Sequence, residues 1–122
     1  MASCTVPVTR EDGKPVATHC RVARTPLARA RGLLGRKKLT AGEGMLFPAT
    51  RAVHTHFMRF PIDVVFLDRD NCIVRIAENV RPWRAVSCRQ ARSVLELGSG
   101  CAANLGLREG DRVEPESRDD RG

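Results

Sequence analysis

The chain has 122 residues and a mass of 13.5 kDa, room for one ordinary core and too little for two. With 42% hydrophobic residues, 29% charged residues and a mean hydropathy of −0.29, it is neither a disordered polymer over most of its length nor a membrane helix. No apolar run approaches the roughly 20 residues that cross a bilayer, and residues 1–10 lack the basic-then-apolar order of a secretion signal, so the expected compartment is the cytoplasm.

The net charge of +7 is unevenly placed: residues 1–60 carry 11 Lys/Arg against 3 Asp/Glu, and residues 61–122 carry 10 against 11. Arg21, Arg24, Arg29, Arg31, Arg36, Lys37 and Lys38 have no acid among them, which makes a positive field that draws anions. Nucleic acid is the expected partner of such a run only when a reading module or stacking aromatics accompany it, and neither does here. A solvated basic face is the simpler expectation, the more so because 18 of the 21 cations are Arg throughout the chain.

In chain order, Thr5–Thr9 and Pro15–Ala23 alternate around the Glu11-Asp12-Gly13-Lys14 turn and predict a β-hairpin. Thr25-Pro26 followed by Leu27, Ala30 and Leu34 predicts a short helix over 26–35. Met45-Leu46-Phe47 reads as a strand ended by Pro48. The runs 52–58 and 62–67 read as strands separated by Arg59-Phe60-Pro61, and 73–77 pairs back on 62–67 across Asp68-Arg69-Asp70-Asn71. Residues 79–91 look irregular, 93–97 is a further strand, 101–105 a helical turn and 111–114 a last strand. From Pro115 to Gly122 nothing apolar remains, so a mobile polar tail is expected after a single domain over 1–114. Many short strands with Gly/Pro turns predict a mainly β fold, a compact sandwich or open barrel with one or two short helices. Phe47, Phe57, Phe60, Phe66 and Trp83 are all the Phe, Trp and Tyr the chain has, and their large rings are expected at the centre of the core.

Cys4, Cys20, Cys72, Cys88 and Cys101 include no CxxC pair, so reduced thiols acting as small apolar side chains are expected rather than a disulfide framework, a zinc ribbon or a nucleophile. Three segments invite a chemical reading. In His54-Thr55-His56-Phe57-Met58, strand periodicity puts His54, His56 and Met58 on one side, two imidazoles and a thioether that suit Zn or Cu if His19, Asp63 or a cysteine supplies a third ligand. The alternative is a pair of histidines that are hydrogen-bonded structurally or face a groove. Asp63 alternates with Val65 and Leu67, so its carboxylate should turn inward and accept hydrogen bonds from Arg59 or nearby amides. The run Val94-Leu95-Glu96-Leu97-Gly98-Ser99-Gly100-Cys101 imitates the glycine turn of a Rossmann-type methyltransferase, but the chain ends before the βα units that such a fold needs. Asp68-Arg69-Asp70-Asn71 imitates a calcium loop without its sixth-position glycine or twelfth-position Glu. No Walker loop, HExxH or GxSxG occurs.

Gly32-Leu33-Leu34-Gly35-Arg36, Gly44-Met45-Leu46-Phe47, the block from His54 to Asp68, Arg81-Pro82-Trp83-Arg84, Val94-Leu95-Glu96-Leu97 with Gly100, and Gly110-Asp111 together resemble the domain-of-unknown-function family 192, over roughly residues 16–114. The resemblance implies a compact mainly β domain and assigns no activity. Many members carry a secretion signal or lipoprotein anchor, which this sequence does not show, and Phe57-Met58 stands where many members have Trp-Met. The expected role is therefore a non-catalytic binding or accessory module. Its groove is lined by His54, His56, Met58, Arg59 and Asp63 and takes a small anionic ligand or a partner's segment. The alternative is a metal-dependent enzyme that uses the two histidines as ligands and Asp63 as ligand or base. The sequence leaves the cofactor open, a metal at His54 and His56 included.

Overall fold

The structure is a computed structural model and describes residues 3–23, 39, 41–56 and 58–115, with the side chains of residues 3–6 and 23 left aside. The helix expected over 26–35 lies outside the described residues, as do Phe57 and residues 116–122. The chain runs β1 (Ser3–Arg10), β2 (Pro15–Ala23), β3 (Glu43–Pro48), β4 (Ala52–His54), β5 (Ile62–Leu67), β6 (Ile73–Val80), β7 (Ala85–Ser87), β8 (Ser93–Gly98), a single turn of helix α1 (Cys101–Asn104) and β9 (Val113–Pro115). The fold is mainly β. Seven strands form one mixed sheet in the order β6-β5-β8-β3-β2-β1-β9, and β4 pairs with β7 in a small second sheet.

Both expected hairpins form: β1 pairs antiparallel with β2, and β5 with β6. Asn71, at φ +64, makes the second turn, and the Asp68 side chain accepts the amide N–H groups of Asp70 and Cys72. That is how Asn substitutes for glycine in a hairpin loop. Between β2 and β3 the pairing is parallel, the one parallel pair in the main sheet. Strand β8 sits between β5 and β3, antiparallel to both. At the ends of the sheet an isolated bridge joins Cys72 to Arg112, so its edges touch at one point without closing into a barrel.

Three strands are buried on both sides. Along β5, Val65 and Leu67 enter a cluster with Leu95, Leu97, Leu46 and Val22, covered at one end by Ala102 and Leu107, while Ile62, Val64 and Phe66 enter a second cluster with Met45, Phe47, Met58, Phe60 and Val94. Continuous apolar runs such as Val64-Val65-Phe66-Leu67 are what two-sided burial requires. The rings are unequally shared. Phe47, Phe60 and Phe66 all lie in the second cluster, the first is aliphatic, and Trp83 is 55% exposed instead of central.

The structure corrects the chain-order expectations in three places. The strand expected over 52–58 stops at His54, because Thr55 turns away to bond residues 81–84. The stretch 79–91, expected to be irregular, contains β7, three residues long, which pairs Ala52 with Ser87, Val53 with Val86 and His54 with Ala85. Pro115, placed at the start of the tail, is the last residue of β9.

Candidate functional site

Thr55 organises the loops beyond the small sheet. It is fully buried, its N–H donates to the Arg84 carbonyl at 2.8 Å, and its carbonyl accepts the N–H groups of Trp83 at 3.1 Å and Met58 at 3.2 Å. Its hydroxyl donates to the Arg81 carbonyl at 2.6 Å and accepts the Arg84 N–H at 3.0 Å. The side chain and backbone of one residue thus lock residues 55–58 to residues 81–84, which a β-branched hydroxyl residue achieves without leaving a buried donor unpaired.

The lock presents three rings. Trp83 has φ +65, a left-handed conformation that a bulky residue adopts at a cost of order 1–3 kcal/mol, and its indole stands out from the surface. The His56 ring meets it edge to face with centroids 5.1 Å apart, and the His54 ring meets His56 at 5.0 Å. So His54 and His56 are brought together, but by a turn after His54 rather than by alternation along a strand. No described residue hydrogen-bonds to either imidazole. Val53 and Val86 pack inward on the second cluster, leaving His54, Ala52, Ala85 and Ser87 on the exposed side of the small sheet.

The two segments that carry these rings are basic. Segments 51–61 and 81–92 hold Arg51, Arg59, Arg81, Arg84, Arg89 and Arg92, all exposed, and no Asp or Glu. Arginines so placed raise the local concentration of anions and repel cations.

The other expected site residues separate from the rings. Met58 is buried in the second cluster, and Arg59 lies exposed in the bend that follows. Asp63 is fully buried on the opposite face of β5, among the residues of the first cluster. Its two oxygens accept the amide N–H groups of Asn79 and Ala102, each at 2.9 Å. Of the two kinds of partner expected, Asp63 therefore takes amides and not Arg59. The bond to Ala102 caps α1 from another strand, since Gly100 at the N-cap has no side chain to do so. Asn79, held at φ +53, also accepts the Ser99 hydroxyl at 2.7 Å. His19, one of the alternatives for a third metal ligand, is on β2 with its Nδ1 beside the Thr18 hydroxyl at 3.2 Å. Among the described residues no three His, Cys, Asp or Glu side chains gather as a metal site would need.

One titratable group escaped the sequence reasoning. Glu96 is 4% exposed, set between Val64 on β5 and Met45 on β3, and no described side chain bonds its carboxyl. Burial pushes its pKa up to about 8. In sequence it reads as the solvent side of an alternating strand, and only the presence of a second apolar layer reveals otherwise. Among the cysteines, Cys20, Cys72, Cys88 and Cys101 are free thiols, and burial pushes the Cys20 thiol up to about 12. A cleft of about 300 Å³ lined by Arg10, Glu11, Asp12, Gly106, Arg108 and Asp111 is a structural tie: Arg10 is spent on the Leu105 carbonyl at 2.9 Å and on Asp12 at 3.4 Å.

The fold and the order of these segments agree with one family model, which describes an uncharacterised group and matches residues 7–115. The chain belongs to the DUF192 family. A UPF0127 protein of Pyrococcus furiosus is 34% identical over 106 residues, covering 84% of this chain and 90% of that one, and a UPF0127 protein of Pyrococcus abyssi is 38% identical over 63 residues, covering 51% and 53%. Two crystal structures are similar. A protein of unknown function from Novosphingobium aromaticivorans superposes with a TM-score of 0.77 at 31% identity, covering 92% of this chain and 84% of that one. The other, called a "putative transcription regulator", from Sinorhizobium meliloti, superposes with a TM-score of 0.78 at 28% identity, covering 94% and 96%.

Proposed function

We propose that this DUF192 protein is a non-catalytic binding module whose recognition surface is the exposed side of the β4–β7 sheet with its flanking loops, and that its ligand is anionic. The observation that carries this reading is Trp83: a bulky ring held outward in a left-handed backbone conformation, against His56, in segments whose charged residues are all arginine. Backbone strain at an exposed aromatic is tolerated where the surrounding bonds impose it, and the Thr55 bonds do. His54, His56 and Arg59 belong to this surface. Met58 and Asp63 support it from within, Met58 by seating the turn and Asp63 by fixing the Asn79 end of the loop that carries Trp83. The name of the Sinorhizobium relative, though it concerns that protein, is compatible with an anionic ligand. A metal-dependent enzyme is less well supported, since two imidazoles with no third ligand gathered among the described residues, on segments whose charged residues are all arginine, are a poor trap for a divalent cation.

Trp83 is the one tryptophan of a chain without tyrosine, so its emission reports the site directly. Titration with inorganic pyrophosphate up to millimolar concentration should change that emission saturably, and Arg81→Ala with Arg84→Ala should weaken the response. An unaltered emission, or stoichiometric zinc uptake at the histidines, would overturn the proposal.

A further inference from the structure

The recognition surface is extended rather than a pocket for one ion. Its rings step outward from His54 through His56 to Trp83 in two spacings of 5.0 and 5.1 Å. From His54 back to Arg51 the small sheet adds about 10 Å of strand, and its exposed floor between the ends is Ala52, Ala85 and Ser87. Small side chains there leave the surface low. Arg84 stands at the ring end and Arg51 at the other, so cations lie at both ends of a low floor. A single phosphate group would engage one end. A chain of phosphates carrying planar groups would engage both ends and also the rings.

We infer that the β4–β7 face binds single-stranded nucleic acid, with Trp83 and the histidine rings as the stacking platform for bases and the surrounding arginines as the contacts to phosphates. This rests on the anionic-ligand reading above and specifies the ligand. The objection raised by the sequence was that the basic run 21–38 has no aromatic companions. The fold answers it with a different set, because Thr55 brings the arginines of 81–84 and the one exposed large ring among the described residues onto the histidine turn. Stacking on aromatic faces within a cationic track is how strands are held without sequence readout, since every base has a π-face. A duplex, whose bases are already stacked on one another, offers the rings nothing.

The test is fluorescence anisotropy of a labelled 12-nucleotide oligothymidylate at 50 mM salt, with polyphosphate of matched charge and a duplex of matched length as competitors. Trp83→Gly is the chosen variant because glycine accepts φ +65 and removes only the ring. The expected result is binding that weakens about tenfold when salt rises to 200 mM, weakens at least fivefold in Trp83→Gly, and is displaced less well by polyphosphate or duplex than by unlabelled strand. Equal displacement by polyphosphate together with an unaffected Trp83→Gly would overturn the inference while leaving the anionic-ligand proposal standing. Tighter duplex binding would overturn it too. No binding of strand or polyphosphate at low salt would overturn both.

Discussion

Two buried carboxyls on facing strands of the same sheet show how environment, not residue type, sets the role of an acid. Asp63 is supplied with two amide donors, whereas Glu96, opposite Val64, is supplied with none among the described residues. For Glu96 the folded chain holds a proton up to about pH 8, while the unfolded chain releases it near the ordinary value of 4.5. The folded state therefore binds more protons in that window, and its stability falls as pH rises from 4.5 to 8, by about 1 kcal/mol per pH unit, and levels off above. Glu96→Gln keeps the shape without the ionisation. Urea unfolding should find it close to wild type at pH 4 and more stable at pH 8; parallel pH profiles would show that Glu96 is solvated after all. Asp63→Asn acts in the other direction. An amide can accept one of the two N–H groups but turns its own donors on the other, so unliganded stability should drop on the order of 1–3 kcal/mol. Overlaid denaturant curves for Asp63→Asn and wild type would instead point to an Asp63 that serves a ligand.

At the scale of elements, Thr55 is to the loops what the hairpins are to the sheet. Thr55→Val preserves the shape and removes the hydroxyl that joins Arg81 and Arg84, leaving the half-buried Arg81 carbonyl and Arg84 N–H without it. Stability should fall by about 1–3 kcal/mol, and Trp83 emission should shift toward that of a solvated indole; an unchanged spectrum would mean that the backbone bonds alone hold the lock. The hairpins were legible in the sequence because turn chemistry is local: Asp68 to Asn71 carries its own instructions. The inward turn of Asp63 was legible for the same reason, from alternation with Val65 and Leu67. Strand β7 was not, since Ala85-Val86-Ser87 has only Val86 as a sizeable apolar side chain and exists through its pairing with β4, some thirty positions earlier. Trp83 was misplaced in the core because ring size argues for burial, whereas the bonds from Thr55 turn its backbone outward. Glu96 was hidden by the same two-sided burial that sets the apolar runs of β5 and β8.

For the molecule as a whole, β3 is the join: it pairs with β2 on one side and β8 on the other, so within the sheet the β1–β2 hairpin reaches the β5–β6 hairpin through β3 and β8. Its register with β2 is parallel, and such a pair cannot form until the chain between Ala23 and Glu43 has crossed over. The β4–β7 sheet, by contrast, has three residue pairs and an open face. Native-state hydrogen exchange should separate the two, with the amides of Met45 and Leu46 exchanging only on global unfolding and that of Val53 exchanging through local opening. Equal protection at both would refute this. The consequence of so short a sheet is kinetic: the proposed recognition surface can come apart and reassemble while the main sheet stays intact. A ligand that needs it assembled would then bind more weakly by the fraction of time it is open, and would slow exchange there first.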